Sequence, residues 1–383
     1  MTHLTGIYFS SESTDFNENI QVLLGQLTDK QRIISLVFFG ATNDEYYEKE
    51  LKIILEKVNI RFENNSPLVS YIAQSLPEPQ KMAVEVHYLP ESIQSHSLIF
   101  KQSEHVWYAV FEWESSRVLI IEGVMGNSQN DPVNRQGDEI FKKIETILLA
   151  EGMQINEIVR QWNYIGKITD VQNGVQNYQA FNESRSCFYE KTNWENRGYP
   201  AATGIGTDTS WLVVSLIAVS APPEMQIVPL NNPLQIAAHA YSQSVLNGEQ
   251  NSRKKTPKFE RGKIIQNRRG AICFVSGTAA IRSEESLNKP DAVLQTQQTI
   301  DNINYLISGE NLKWHDLSTD SSLKMAGVRV YIKNMNDLEH VKARIEQSWA
   351  NIPAIYLQAD ICRSELLVEI EGIALGKPLN YKT

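Results

Sequence analysis

Apolar and polar positions alternate along this chain with two different periods, and the change of period separates strands from helices. Ile33 to Gly40 is almost continuously apolar and ends at a glycine, which predicts a buried strand leading into a turn. Asp44 to Val58 has helical spacing, with Leu51, Ile54 and Leu55 expected on one side. Trp107 to Phe111 and Arg117 to Gly123 read as a hairpin. Asp138 to Glu151 carries Ile140, Ile144, Ile147, Leu148 and Leu149, the stripe of an amphipathic helix that stops near Gly152.

From Ile155 the regular spacing fades. Arg160 to Gly166, Tyr178 to Arg185, Tyr189 and Tyr199 to Gly206 crowd amide, aromatic and arginine side chains together, and loops are expected there. Gly204-Ile205-Gly206 lacks the third glycine and the lysine of phosphate loops, so it reads as a turn. Regular elements return as strands at Leu212 to Val219 and Ala271 to Ser276, a helix at Ala292 to Ser308, a strand at Ala326 to Lys333 and a helix at Leu338 to Trp349. Pro353 follows that helix, as the fixed proline torsion favours. The whole reads as an α+β chain in two parts, residues 1–150 and 151–383.

The last strand is the most informative. From Val368 to Glu371 apolar and acidic residues alternate, so Glu369 and Glu371 share one face and Val368 and Ile370 the other. A strand with one wet face would produce the same pattern.

Composition narrows the function. The chain has 383 residues, 42% hydrophobic and 21% charged, long enough for two domains with a substantial core. A net charge of −9 argues against a sequence-independent grip on nucleic acid, which needs excess lysine and arginine. Three widely spaced cysteines, Cys187, Cys273 and Cys362, fit neither a paired disulfide framework nor a metal knuckle and suggest a reducing, cytoplasmic setting. The seven histidines are scattered without ligand spacing, so no metal is expected. No secretory signal is evident at Met1 to Asn19, and the longest apolar run, Trp211 to Ala221, is short of the ~20 residues a bilayer requires, so no membrane span is expected. A basic run from Arg253 to Arg269, including Lys254, Lys255, Lys258, Arg261, Lys263 and Arg268, reads as a solvated loop or as a patch steering an anionic substrate.

The order of motifs carries a resemblance. Tyr241-Ser242-Gln243-Ser244, Phe274 to Ala279, Gln295 to Asn302, Val328 to Asp337 and the terminal Val368-Glu369-Ile370-Glu371 resemble the reactive-intermediate deaminase (Rid/YjgF) family. In that family the first glutamate of the last strand lines a small-molecule cleft, and Glu369 matches it. Preceded by Arg160-Gln161-Trp162-Asn163-Tyr164-Ile165, Tyr178 to Arg185 and Tyr199 to Gly206, the series resembles the chorismatases, which release pyruvate from chorismate. The resemblance covers about Arg160 to Ala374 and implies a Rid/YjgF-like (chorismate mutase-like) α+β architecture, with mixed sheets packed by helices on one face and no cofactor. A plain Rid deaminase holds its substrate carboxylate with an arginine after a Pro-Ala pair; here Ile355 follows Pro353-Ala354.

Chorismate is a dianion, and arginine forks suit its carboxylates. Arg160, Arg185 and Arg329 are candidates, each alternatively a surface salt bridge. Tyr178 and Gly204 belong to the same motif series, and Thr203, Tyr189 and Tyr241 are candidate hydrogen-bond donors or satisfied core hydroxyls. Cleaving an enol ether begins by protonating its methylene carbon, a task assigned to Glu369 with Glu371 as its like-charged neighbour. The aromatising chorismatases are expected to carry glycine in the Ser-x-Thr-Ala strand and cysteine shortly before the terminal glutamate. Gly277 and Cys362 match, which favours 3-hydroxybenzoate over a dihydroxylated diene or 4-hydroxybenzoate. An imine deaminase and a non-catalytic small-molecule binder are the rival readings, and the oligomeric state stays open between monomer and trimer-like assembly.

Overall fold

The computed structural model describes all residues except 1–5, 29–30, 91–92, 94–96, 173, 224, 247–253, 269, 319–322, 378–379 and 382–383. Arg253 and Arg269 of the basic run thus lie outside the described residues.

Three sheets face one another around a shared interior. In the first, β1 (Ile7–Ser11), β2 (Ile33–Gly40), β3 (Leu68–Ala73) and β4 (Met82–Tyr88) run in the order β1-β4-β2-β3, joined by helices α1 (Phe16–Gly25) and α2 (Tyr47–Phe62). Every residue of β2 is buried, as its apolar run predicts. On α2 the buried positions are Tyr47, Ile54 and Val58, while Leu55, expected beside them, is exposed.

The second sheet comprises β5 (Ile99–Ser103), β6 (Val106–Trp113), β7 (Ser116–Met125), β8 (Ile158–Gly166), β11 (Ala201–Thr207) and β12 (Leu212–Ser220), ordered β11-β8-β12-β7-β6-β5. A hairpin of β9 (Val171–Gln172) and β10 (Val175–Gln176) leads into helix α4 (Asn177–Tyr189). Helix α3 (Val133–Ala150) shares a core with α4 and the outer sheet face, with Ile140, Ile144, Ile147 and Leu148 turned inward and Leu149 in solvent. Because β12 pairs with β7 on one side and β8 on the other, a boundary at residue 150 would cut through a continuous sheet.

The third sheet holds β13 (Gln226–Leu230), β14 (Gly262–Asn267), β15 (Gly270–Ala279), β19 (Lys324–Ile332), β20 (Ala354–Gln358) and β21 (Val368–Gly376), ordered β13-β14-β15-β21-β19-β20. Helices α5 (Ala292–Leu306), α6 (Gly309–Trp314) and α7 (Leu338–Ser348) contribute to its outer core, and two short pairings, β16 (Ile281–Arg282) with β17 (Glu285–Ser286) and β18 (Leu317–Ser318) with β22 (Asn380–Tyr381), lie outside the sheet. Inside, one cluster joins all three sheets: Phe38 and Val84 from the first, Trp162 and Tyr164 from the second, Phe274 and Tyr331 from the third.

Three segments expected to be loops are regular. Arg160 to Gly166 is strand β8, Tyr178 to Tyr189 lies in α4, and Ala201 to Gly206 lies in β11. Period alone could not reveal them because β8 is buried on both faces, so its polar residues do not alternate with apolar ones toward solvent. Gly204 and Gly206 sit inside β11 rather than in a turn. A Cβ at Gly204 would stand 3.1 Å from the Tyr178 ring, and one at Gly206 would stand 2.7 Å from the Asp360 carbonyl oxygen. The last strand has no wet face either, since Val368, Glu369, Ile370 and Glu371 are all buried.

Candidate active site

Strand β11 of the second sheet meets β15 of the third, where the Ala202 N–H donates to Ser276 Oγ at 2.9 Å. A cavity opens beside this seam, with about 770 Å³ of non-atom space that extends into open solvent. Its floor includes Gly204, Gly277 and Glu369, one wall comes from Tyr178, Asn182 and Arg185 on α4, and the rest includes Tyr241, Arg261, Cys362 and Arg363.

Glu369 is 5% exposed, and no side-chain hydrogen bond to its carboxyl is found among the described residues. Burial, and then the neighbouring charge of Glu371, push this carboxyl up to about 8, against weaker opposing pulls from Arg160 and Arg261. A carboxylic acid is thereby held neutral at neutral pH, as general acids require.

Glu371, two residues on along the same strand face, lines a different cavity and is fully engaged. Its Oε2 accepts from Arg160 Nη2 and the Thr203 hydroxyl, and its Oε1 accepts from Trp162 Nε1 (3.0 Å), Tyr331 Oη (3.0 Å) and Arg329 Nη1 (3.2 Å). Thr203 also accepts from Arg160 Nη2 at 2.7 Å and from the Gly277 N–H at 3.1 Å. The sequence placed Arg160, Arg329 and Thr203 against substrate. In the fold Arg160 and Arg329 line a separate inner cavity behind Glu371, and Thr203 ties that network to Gly277. The reason is electrostatic: two buried guanidiniums need carboxylate partners; Glu371 pairs with both, and Glu85 supplies a second partner for Arg329. Tyr189 is also outside the cavity, with its hydroxyl donating to Gln161 Oε1 at 2.8 Å and its ring packed on Trp194 and Tyr199.

Arg185, Tyr178, Gly204, Tyr241, Gly277, Cys362 and Glu369 do line the cavity. Arg185 is 1% exposed, lies 4.9 Å over the Phe181 ring and donates through Nη2 to Asn182 Oδ1 at 2.6 Å. Among the described residues, its Nε and Asn182 Nδ2 are buried without an acceptor. Burial, and next the charge of Glu369, push the Cys362 thiol up to about 12, so it is neutral at physiological pH.

Two cavity arginines were missed from the sequence. Arg261 is 3% exposed, donates to the Ile236 carbonyl at 2.9 Å and to Tyr241 Oη at 2.6 Å, and has no acceptor for Nε among the described residues. Arg363 donates to the Glu284 carbonyl at 2.8 Å and lies 5.4 Å over the Tyr241 ring. Arg261 was hidden in the basic run read as a solvated loop, yet Arg261 and Lys263 are both buried. Its one signal was position: it directly precedes β14 and is flanked by Phe259 and Ile264.

Among the described residues, no group of three or more His, Cys, Asp and Glu side chains is placed to hold a metal ion, and no helix is long and apolar enough to cross a membrane.

Comparisons with known proteins agree with this organisation. Residues 93–218 match the family described as chorismatase FkbO/Hyg5-like, N-terminal, and residues 263–376 match the family described as endoribonuclease L-PSP. A 3-hydroxybenzoate synthase from Streptomyces hygroscopicus is 31% identical over 234 residues, 59% of this chain and 66% of that protein. A chorismatase from the same organism is 27% identical over 219 residues, 56% of this chain and 61% of its own length. The matched part thus spans just under two thirds of these relatives. A crystal structure of a chorismatase superimposes with a TM-score of 0.72 over 98% of this chain and 99% of that one, at 17% identity, which shows a shared fold.

Proposed function

Because the chain belongs to the chorismatase family, with a Rid/YjgF-like module in its C-terminal part, we propose that it converts chorismate to pyruvate and 3-hydroxybenzoate. One observation carries the reading: a neutral, buried carboxylic acid, Glu369, opens into a cavity lined by the guanidiniums of Arg185, Arg261 and Arg363.

In this reading the arginines neutralise the two substrate carboxylates, and the Nε atoms of Arg185 and Arg261, which have no acceptor among the described residues, donate to them. Glu369 gives its proton to the methylene carbon of the enolpyruvyl ether, leaving an oxocarbenium carbon. The neighbouring ring hydroxyl attacks that carbon, losing its proton and closing a cyclic ketal. Loss of the proton on the ether-bearing ring carbon to a base then breaks the ring's bond to the former hydroxyl oxygen and aromatises the ring. The hemiketal alkoxide so freed collapses to pyruvate, expelling the remaining ring oxygen as a phenolate that takes up a proton. No water is consumed, so the atoms of chorismate divide between pyruvate and hydroxybenzoate. The carboxylate left on Glu369 is the base at hand for the ring proton, and Cys362, a neutral thiol lining the same cavity, is placed to assist that transfer as a hydrogen-bonding group.

An imine deaminase is the weaker reading: Ile355 is buried in the core between the sheets and does not line the cavity. Chelator-treated protein mixed with chorismate tests the proposal. Pyruvate and 3-hydroxybenzoate in equal amounts are expected by chromatography of the quenched reaction. Pyruvate release no faster than the spontaneous rate rejects chorismate cleavage, and a dihydroxylated diene in place of hydroxybenzoate rejects internal attack.

A further inference from the structure

The second cavity lies in the interior between the three sheets, and Glu371 separates it from Glu369. Arg329 sits there between two acids. Its Nε donates to Glu85 Oε2 at 2.6 Å, and its Nη1 reaches Tyr164 Oη at 2.6 Å and Glu371 Oε1 at 3.2 Å. Glu85, on β4 of the first sheet, also meets His87 Nε2 at 2.9 Å, and the other ring nitrogen of His87 meets Ser35 Oγ at 2.8 Å. Arg329 and Glu85 are 4% exposed, so this exchange takes place away from water.

Charge counting gives the arrangement a purpose. Two guanidiniums, Arg160 and Arg329, face two carboxylates, Glu371 and Glu85. The pairs balance, so that beyond the weak pull of Arg160 the inner network presents no uncompensated cation to Glu369. We propose that Glu85, which lies outside both matched family segments, is a positioning residue: by engaging Arg329 it keeps the inner network balanced, so that Glu369 retains the proton it delivers. The inference rests on the reading of Glu369 as proton donor.

The other groups near Glu369 do not change the sign of the effect. Arg160 from β8 and Arg261 ahead of β14 both favour its ionised form, while Glu371 on its own strand opposes it. Arg185 and Tyr178 come from α4, and Tyr241, Cys362 and Arg363 complete the surroundings. Around Arg329 stand Tyr8 and His87 from the first sheet, Glu122 and Tyr164 from the second, and Tyr331 from its own strand. Burial raises the Glu122 carboxyl against the opposing pull of His87 and Arg329, whereas Glu85, in direct contact with Arg329, is held low as a carboxylate and is the counter-charge bonded to Arg329 on that side.

Removing Glu85's charge leaves a surplus guanidinium, which favours ionised Glu369; removing Arg329's charge does the reverse. Infrared spectra of the purified full chain across pH report the protonated Glu369 carboxyl directly, assigned as the band lost in Glu369→Gln. Glu85→Gln should lower its titration midpoint by about one pH unit or more, and Arg329→Gln should raise it by a similar amount. The double variant, balanced again, should return close to the wild-type midpoint. Since the three variants give three different signs, any one that folds decides the case, and Glu85→Asp should rescue the midpoint. Midpoints that stay put, or move the same way in both single variants, overturn the assignment. The readout needs no substrate: shifted midpoints without pyruvate release reject chorismate cleavage and keep Glu85's role, while pyruvate release with fixed midpoints does the opposite.

Discussion

Gly277 lies directly against the Glu369 carboxyl. A methyl group on its Cα would overlap Glu369 Oε1 and stand 3.1 Å from both Glu369 Cδ and Thr203 Cγ2. The missing side chain thus provides the space in which the acid sits, while the Gly277 N–H anchors Thr203 and through it the inner network. Product choice was the role the sequence suggested for Gly277. Its contact with the acid adds a second one, because any larger residue must displace the proton donor.

Gly277→Ala is therefore expected to lower pyruvate release by about 10²-fold or more, the usual effect of misplacing a reacting group by about an ångström. Steady-state kinetics with chorismate checks it. Turnover within a few-fold of wild type, in a folded variant, would show that the carboxyl seen against Gly277 is not held there during reaction.

Glu369→Gln keeps the shape of the acid and removes its proton. Turnover should drop by ~10²–10⁴-fold. In the wild type, activity should fall as pH rises through about 8, where Glu369 loses its proton. A pH profile whose alkaline limb persists in residual Glu369→Gln activity would assign that limb to another group.

Stability should carry the same titration. Native Glu369 holds its proton to about 8, whereas an unfolded glutamate releases it in the ordinary carboxylate range. Between those values the native state binds more protons, so stability falls as pH rises through that window, and the loss is complete above about 8. Glu369→Gln has nothing to titrate there. Its thermal midpoint relative to wild type should therefore climb from pH 5 to pH 9, as read by paired melting curves; a constant difference would refute the shift.

Arg261→Lys retains the positive charge and loses the guanidinium fork, with its bond to Tyr241 and the Nε that has no acceptor among the described residues. Arg185→Lys makes the corresponding change on the α4 wall. Each should reduce kcat/KM by about 10- to 100-fold, mainly through KM if the fork serves binding alone. The same substitution at Arg363, whose Nη1 is already bound to Glu284 and Ser286, should cost less.

Cys362→Ala separates product choice from acid placement, since it leaves Gly277 and its contact with Glu369 untouched. If the thiol assists ring-proton loss, hydroxybenzoate should form more slowly and the dihydroxylated diene should accumulate, with pyruvate still released. An unchanged hydroxybenzoate fraction would assign that step elsewhere.

Periodicity and motif order were sufficient for much of this protein. The β2 run, the β6–β7 hairpin, α3, α5, α7 and the alternation that puts Glu369 and Glu371 on one face of β21 are local properties, written in spacings of two or about 3.6 residues. The acid itself was legible for the same reason. Arg160 and Arg185 were legible as residue types, but their destinations were not. Whether a buried guanidinium meets substrate or a carboxylate depends on what the fold brings from far along the chain: Glu371 lies 211 residues from Arg160, and Glu85 lies 244 residues from Arg329. Strand β8 escaped detection because burial on both faces erases the alternation that marks a strand, and Arg261 because a basic run looks alike in solvent and in a cleft. Local pattern follows from backbone geometry, which each segment carries within itself. The pairing of buried charges follows from desolvation, which is imposed only when the three sheets close around them.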